Sequence, residues 1–211
     1  MAIPALQAFI GQVGPNTVGD GNTPAIRLGR TAEAIMQELH GRYYETTYRG
    51  FMYSAAVGAA TTTAALNTTP CTGLILSNPA GSSVNLVLNK VGFGTTVVWP
   101  AVAVVGLMQG YSAAAWTNTT KGTIYNNKFN GQSASQANVY TNATLPVAPL
   151  LTTIFGGGLT GAATTTPGDF NVFDMEGSIL VQPGGFVSFY TSTVSPTTGF
   201  SGMYTWEEVP I

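Results

Sequence analysis

From Ser54 onward, short runs rich in β-branched and aromatic residues alternate with clusters of turn formers. The clearest clusters are N-P-A-G-S at 78–82, Q-P-G-G at 182–185 and S-P-T-T-G at 195–199. Proline removes a backbone donor and glycine admits left-handed backbone, so such clusters end strands and reverse the chain. The runs between turns read as strands: 61–66, 72–77, 83–93, 95–105, 110–117, 150–154, 177–181, 186–194 and 202–209. Many short strands at fairly even spacing, with almost no helical period, predict an all-β, jelly-roll-like antiparallel β-sandwich. A chain of 211 residues is long enough to bury one such core. The Asn- and Ser-rich stretch 118–144 opposes a regular core strand and is expected as a long surface excursion.

The start of the chain is different. Residues 1–24 set apolar residues such as Ile3, Leu6 and Phe9 among prolines and glycines, which predicts an extended N-terminal arm. Ordering such an arm costs about 1 to 2 kcal/mol per residue in backbone entropy, so a partner surface is expected to hold it. Residues 25–211 are expected as one sandwich domain that includes a short helix at about 31–40. Thr31 suits the N-cap, and Glu33 falls in the first turn, where the helix dipole favours an acid. Ala32, Ile35, Met36 and Leu39 recur at helical spacing, and Gly41 stands at the C-cap position. After Gly41 the period changes to two, and the Tyr- and Thr-rich segment 43–53 is expected as a strand.

Charge sets further limits. Only 8% of residues are charged and the formal net charge is −2, so little electrostatic repulsion opposes association. Seven basic residues against nine acidic ones do not make a basic face for phosphates, which argues against a nucleic-acid partner. All four arginines, Arg27, Arg30, Arg42 and Arg49, fall between residues 25 and 53 and are candidates for anchoring a partner's carboxylates. The longest apolar run, 97–108, is interrupted by Pro100 and Gly106 and falls short of the roughly 18 to 20 residues of a membrane span. No basic leader precedes an apolar core at the N-terminus. A soluble protein made in a cytoplasm, with no membrane partner, is expected.

Chemistry is thin. His40, the only histidine, sits at a helix C-terminus, where it meets terminal carbonyls more readily than it forms a triad. Carboxylate pairs for glycosidic cleavage could come from Asp169, Asp174, Glu176, Glu207 and Glu208, but the first three read more simply as a loop entering a strand. A hard cation such as Ca²⁺ is the other use for those oxygens, although their spacing matches no known loop. The G-G-G-L-T-G run at 156–161 lacks the following helix that phosphate binding requires. Cys71, the only cysteine, excludes an internal disulfide and reads as a buried, inert thiol. Trp99, Trp116 and Trp206 are expected in the core or an interface. No catalytic residue, cofactor or metal is assigned.

Two segments, L-I-L-S-N-P-A-G-S-S-V-N-L-V-L-N-K-V at 74–91 and I-L-V-Q-P-G-G-F-V-S-F-Y at 179–190, are similar to β-sandwich virion proteins of tailed bacteriophages. The closing Y-T-W-E-E-V-P-I at 204–211 and the H-G-R-Y-Y-E segment share that resemblance. It implies a capsid decoration, or cement, protein: a non-enzymatic homotrimer bound to major capsid proteins in the virion. The alternative is a tail- or fibre-associated carbohydrate-binding module with exposed Trp or Tyr in a loop groove.

Overall fold

The structure, a computed structural model, describes residues 8–10, 26–28, 41–62, 66, 71–97, 99, 101–128, 134–157, 170–195 and 197–211. The chain divides into two compact units, Met1–Arg42 and Tyr43–Ile211. In the first, β1 (Ala8–Ile10) pairs in parallel with β2 (Ile26–Leu28), placing Phe9 opposite Arg27. The boundary expected at 24/25 falls inside this unit. The helix expected at about 31–40 lies outside the described residues.

The second unit opens with helix α1 (Tyr44–Arg49), where the sequence period predicted a strand. The reason is local. Glu45 and Arg49 pair one turn apart at 2.6 Å, and the Tyr44 and Tyr48 rings stack at 5.9 Å. Gly50 then adopts the left-handed conformation (φ 81°), and its N–H meets the carbonyls of Thr46 and Thr47. Pairs at i,i+4 and a glycine C-cap outweigh the alternation.

Eleven strands follow: β3 (Met52–Ala60), β4 (Cys71–Ser77), β5 (Val84–Thr95), β6 (Val104–Tyr111), β7 (Thr117–Lys121), β8 (Tyr125–Asn126), β9 (Asn138–Thr144), β10 (Leu150–Gly157), β11 (Phe170–Val181), β12 (Gly185–Thr191) and β13 (Phe200–Pro210). One sheet runs β10-β6-β12-β4-β9-β7 and the other β11-β5-β13-β3-β8. With the insertion strands β7, β8 and β9 set aside, the antiparallel pairs nest: β3 with β13, β4 with β12, β5 with β11, β6 with β10. First pairs with last, and so inward. This is the jelly-roll wrap, so the all-β sandwich expected from the sequence is the fold.

Alternation along the strands fills the interior. Leu74 and Leu76 of β4, Leu86 and Leu88 of β5, and Tyr204 and Trp206 of β13 are all buried between the sheets. The opposite parity on the six-stranded sheet is also covered. Ile75, Met108 and Phe186 form a second buried cluster with Tyr140, Ala143 and Leu145, so β4 and β12 are apolar on both faces. That cluster explains why 118–144 is more than a surface loop. Val139, Tyr140 and Ala143 bury against β4's flank, which makes 138–144 the strand β9 despite its asparagines.

The expected strand 95–105 begins only at Val104. Trp99 and Ala103 are buried from a non-strand connection, and the sequence places the donorless Pro100 between them. The strand expected at 110–117 ends at Tyr111. The two turns most legible in the sequence meet each other. Asn78 N–H donates to Gly185 O, Gly184 N–H donates to Asn78 O, and the Asn78 amide donates to Val84 O and Val181 O. Left-handed Gly184 (φ 85°) makes that lock possible.

Candidate contact surface

Among the described residues four strands end the two sheets, and their edges are guarded differently. An edge strand offers unpaired N–H and C=O groups to any other chain, and proteins blunt it with charge, brevity or bulges. β7 is polar throughout and ends in Lys121, and β8 is two residues long. β11 carries a bulge between Asp174 and Ile179, with Glu176 (φ 51°) and Gly177 (φ 77°) in left-handed backbone. Asp174 Oδ1 accepts from the Glu176 N–H at 3.1 Å and from the Tyr43 hydroxyl at 2.8 Å. The acidic pair therefore belongs to the bulge of a strand, where the sequence suggested a loop. β10, L-L-T-T-I-F-G-G, has no charge and no proline over eight residues.

The β10 and β11 edges also carry apolar side chains into solvent. Leu150 is 72% exposed and Ile154 62%, while Phe170, Val172 and Leu180 are each more than half exposed. Between the two edges runs an open groove of about 310 Å³ bordered by Gln109, Tyr111, Leu150, Thr152, Leu180 and Gln182. The Phe186 ring lies beneath it against Gly110, where a β-carbon would collide with it. The exposed Tyr111 ring rests on Gly184, and Gln109 donates to the Thr152 hydroxyl at 2.7 Å.

The opposite side is sealed by hydrogen bonds. Glu208, 5% exposed, accepts from the Ser135 hydroxyl and from the backbone N–H groups of Gln136 and Ala137. Gln136 Oε1 in turn accepts from the Ser83 N–H and from the Ser82 hydroxyl. This polar seam ties the insertion to β13 and to the start of β5. A second groove, of about 410 Å³, is lined by Lys121, Asn126, Ser135 and Asn138 among others.

Among the described residues the Cys71 thiol and the Tyr204 phenol lie in the interior. Burial pushes the Cys71 thiol up to about 11, outweighing the nearby Ser188 hydroxyl, so it is not a thiolate near neutrality. Burial, with a smaller contribution from Cys71, also holds the Tyr204 phenol well above its ordinary range. Trp99 and Trp206 are fully buried, and Trp116 stacks on Tyr140. Among the described residues no three of His, Cys, Asp and Glu gather in one place, and no helix is long and apolar enough to cross a membrane.

The candidate partner residues from the sequence fall in both units or outside the described residues. Ile3, Leu6 and Arg30 lie outside the described residues, as do His40 and Asp169. Phe9 and Arg27 sit in the β1–β2 pair and Arg42 is exposed at the end of the first unit. Arg49 belongs to the second unit, with Glu45 as its partner. Sequence reasoning missed Leu150, Ile154, Phe170, Val172 and Leu180. The signal was the uncharged run at 150–157 and the apolar residues at both parities of 170–181. Comparison with protein-family models, curated proteins and solved structures gave no match.

Proposed function

We propose that this chain is a structural virion protein of a tailed phage, of the capsid decoration type, made in the host cytoplasm and retained in the virion. It binds across major capsid proteins as a homo-oligomer, a trimer on the resemblance, without catalysis, cofactor, nucleic acid or membrane. The observation that carries this reading is the apolar surface of the β10–β11 side, whose β10 edge carries no charge. Jelly rolls serve capsid and lectin domains alike, so the fold alone does not choose. The chemistry of the side supports the protein partner: exposed Leu, Ile, Val and Phe suit burial against protein. Many modest contacts repeated over a shell then add up by multivalency. In this reading Ile3, Leu6 and Phe9 of the N-terminal segment, with Arg27, Arg30, Arg42 and Arg49, anchor the partner.

The test is co-sedimentation with purified shells. Saturable binding is expected, weakened strongly by deletion of residues 1–24 or by Arg27→Ala with Arg30→Ala while far-UV circular dichroism stays unchanged. No binding to shells would overturn the reading.

The carbohydrate-binding alternative has one observation in its favour. Tyr111 is 60% exposed beside Gln109, Gln182 and Thr152, an aromatic face flanked by amides and a hydroxyl. A glycan array separates the two readings. Glycan binding lost in Tyr111→Ala, with no shell binding, establishes the alternative.

A further inference from the structure

We infer that β10 is the strand through which this chain pairs with a second copy of itself, edge to edge and antiparallel about a two-fold axis. The inference rests on the reading of the chain as an associating structural protein and names the surface it uses.

The four edges differ in how they resist strand addition. Lys121 and four further exposed polar positions guard β7, two residues make up all of β8, and a bulge bearing Asp174 and Glu176 interrupts β11. Charge and brevity are recognised ways of preventing strand addition, and the β11 bulge sets two carboxylates at its edge. β10 has eight residues, no charge and no proline, and its apolar side chains Leu150 and Ile154 are 72% and 62% exposed.

β10 has two irregularities of its own, which place Thr152 and Phe155 outside the β6 register. Both residues find partners within the chain. The Thr152 hydroxyl donates to Leu107 O and accepts from Gln109, and Phe155 stacks on Phe93 and Phe173. The irregularities thus fasten β10 to its own sheet and place no charge on the outer edge.

The occupant follows from composition and symmetry. An uncharged edge meets its own copy with no like charges opposed, and isologous two-fold contacts are the commonest closed symmetry. A two-fold through the middle of β10 sets Leu150 and Leu151 of one copy beside Gly157 and Gly156 of the other. Large residues then face small ones. Gly156 has open space where a β-carbon would stand, as a covering leucine requires. Pairing also satisfies the edge N–H and C=O groups of both copies and covers Ile154. An isologous strand pair closes at two copies, so this contact is distinct from any three-fold contact of the trimer that the resemblance implies.

Light scattering at micromolar concentration tests it on the full chain. The expected mass is an even multiple of 21.9 kDa, two copies or, where a three-fold contact also forms, six, and it halves in Leu150→Lys/Ile154→Lys with an unchanged circular dichroism spectrum. Val172→Lys on the guarded β11 edge keeps the wild-type mass. Should the double variant fail to fold, hydrogen exchange of the wild type decides, because amides in 150–157 then slow as concentration rises. A wild-type mass of one or three copies, an unhalved mass in the folded double variant, or exchange in 150–157 that ignores concentration would overturn the pairing. Shell binding by a wild-type monomer would leave the decoration reading standing without this contact. A dimer that binds no shell would do the opposite.

Discussion

The two long sides of the sandwich are built to different ends. On the β7–β8 side a buried carboxylate, Glu208, gathers the backbone N–H groups of 136 and 137, and Gln136 ties in Ser82 and Ser83. Asn126 donates to Gly50 O at 2.7 Å and fastens the end of α1 to the same side. On the β10–β11 side the outward groups include Leu150, Ile154, Phe170, Val172 and Leu180, with Asp174 and Glu176 exposed at the β11 bulge. One side spends polar groups on closing the fold, and the other leaves apolar area facing solvent. A protein with 8% charged residues has few charges to place, and those placed on edge strands stand at β7 and β11 rather than β10. The lesson is that stability and association are segregated, so substitutions should separate them.

The largest effect is expected on the sealed side. Glu208→Ala removes the acceptor of the Ser135 hydroxyl and of the Gln136 N–H, while the Ala137 N–H keeps the Ser135 hydroxyl, at a cost of about 2 kcal/mol, read as a lowered denaturant midpoint. Glu208→Gln keeps one acceptor oxygen and should cost less. Neither should change the oligomeric mass, and a change in mass would break the segregation. Gly106→Ala comes next. Its new β-carbon would collide with the Thr153 carbonyl of β10, pushing that strand from β6, at about 2 kcal/mol by the usual scale of overpacking. Here stability and association should fall together, because the displaced strand is the open edge itself.

The interior shared by both sides supplies a pH test. The unfolded chain releases the Cys71 proton near the ordinary value of 9.0, while the folded chain holds it to about 11. Stability from this group is therefore complete below pH 9 and declines as pH rises through 11, by up to about 2 kcal/mol. Tyr204, also raised, acts in the same direction. Thermal melts from pH 7 to 11 should be flat and then fall, and Cys71→Ala should flatten the decline. The smallest effect belongs to Arg49→Ala. Its pair with Glu45 is more than half exposed, so roughly 0.3 to 0.5 kcal/mol is expected, and the loss should vanish in high salt. A larger, salt-independent loss would mean that Arg49 does more than support α1.

Much of the fold was legible. The turns at 78–82 and 182–185 stand where the residues put them, and β4, β5, β12 and β13 match their apolar runs to within a few residues. The contact side was not legible, because the apolar residues of 150–154 and 177–181 look alike whether they face a core or solvent. The strand β9 was hidden by asparagines whose apolar neighbours pack on a strand some sixty residues earlier in the chain. Helix α1 was hidden by an alternation that its i,i+4 pairs overrode.

What the amino-acid order determined alone is local: where the chain can turn, which runs prefer a pleated backbone, and how little charge there is to distribute. Backbone sterics and side-chain shape act over a few residues, so those properties need no partner from elsewhere in the chain. Only the tertiary structure decided that Glu208 is buried among N–H groups, that Cys71 sits too deep to ionise easily, and that β10 became an edge. Each depends on which distant segments pair. β13 joins β3 across some 150 residues, and no window of sequence contains both strands. An edge is defined by the neighbour that a strand lacks, and that is a property of the whole sheet.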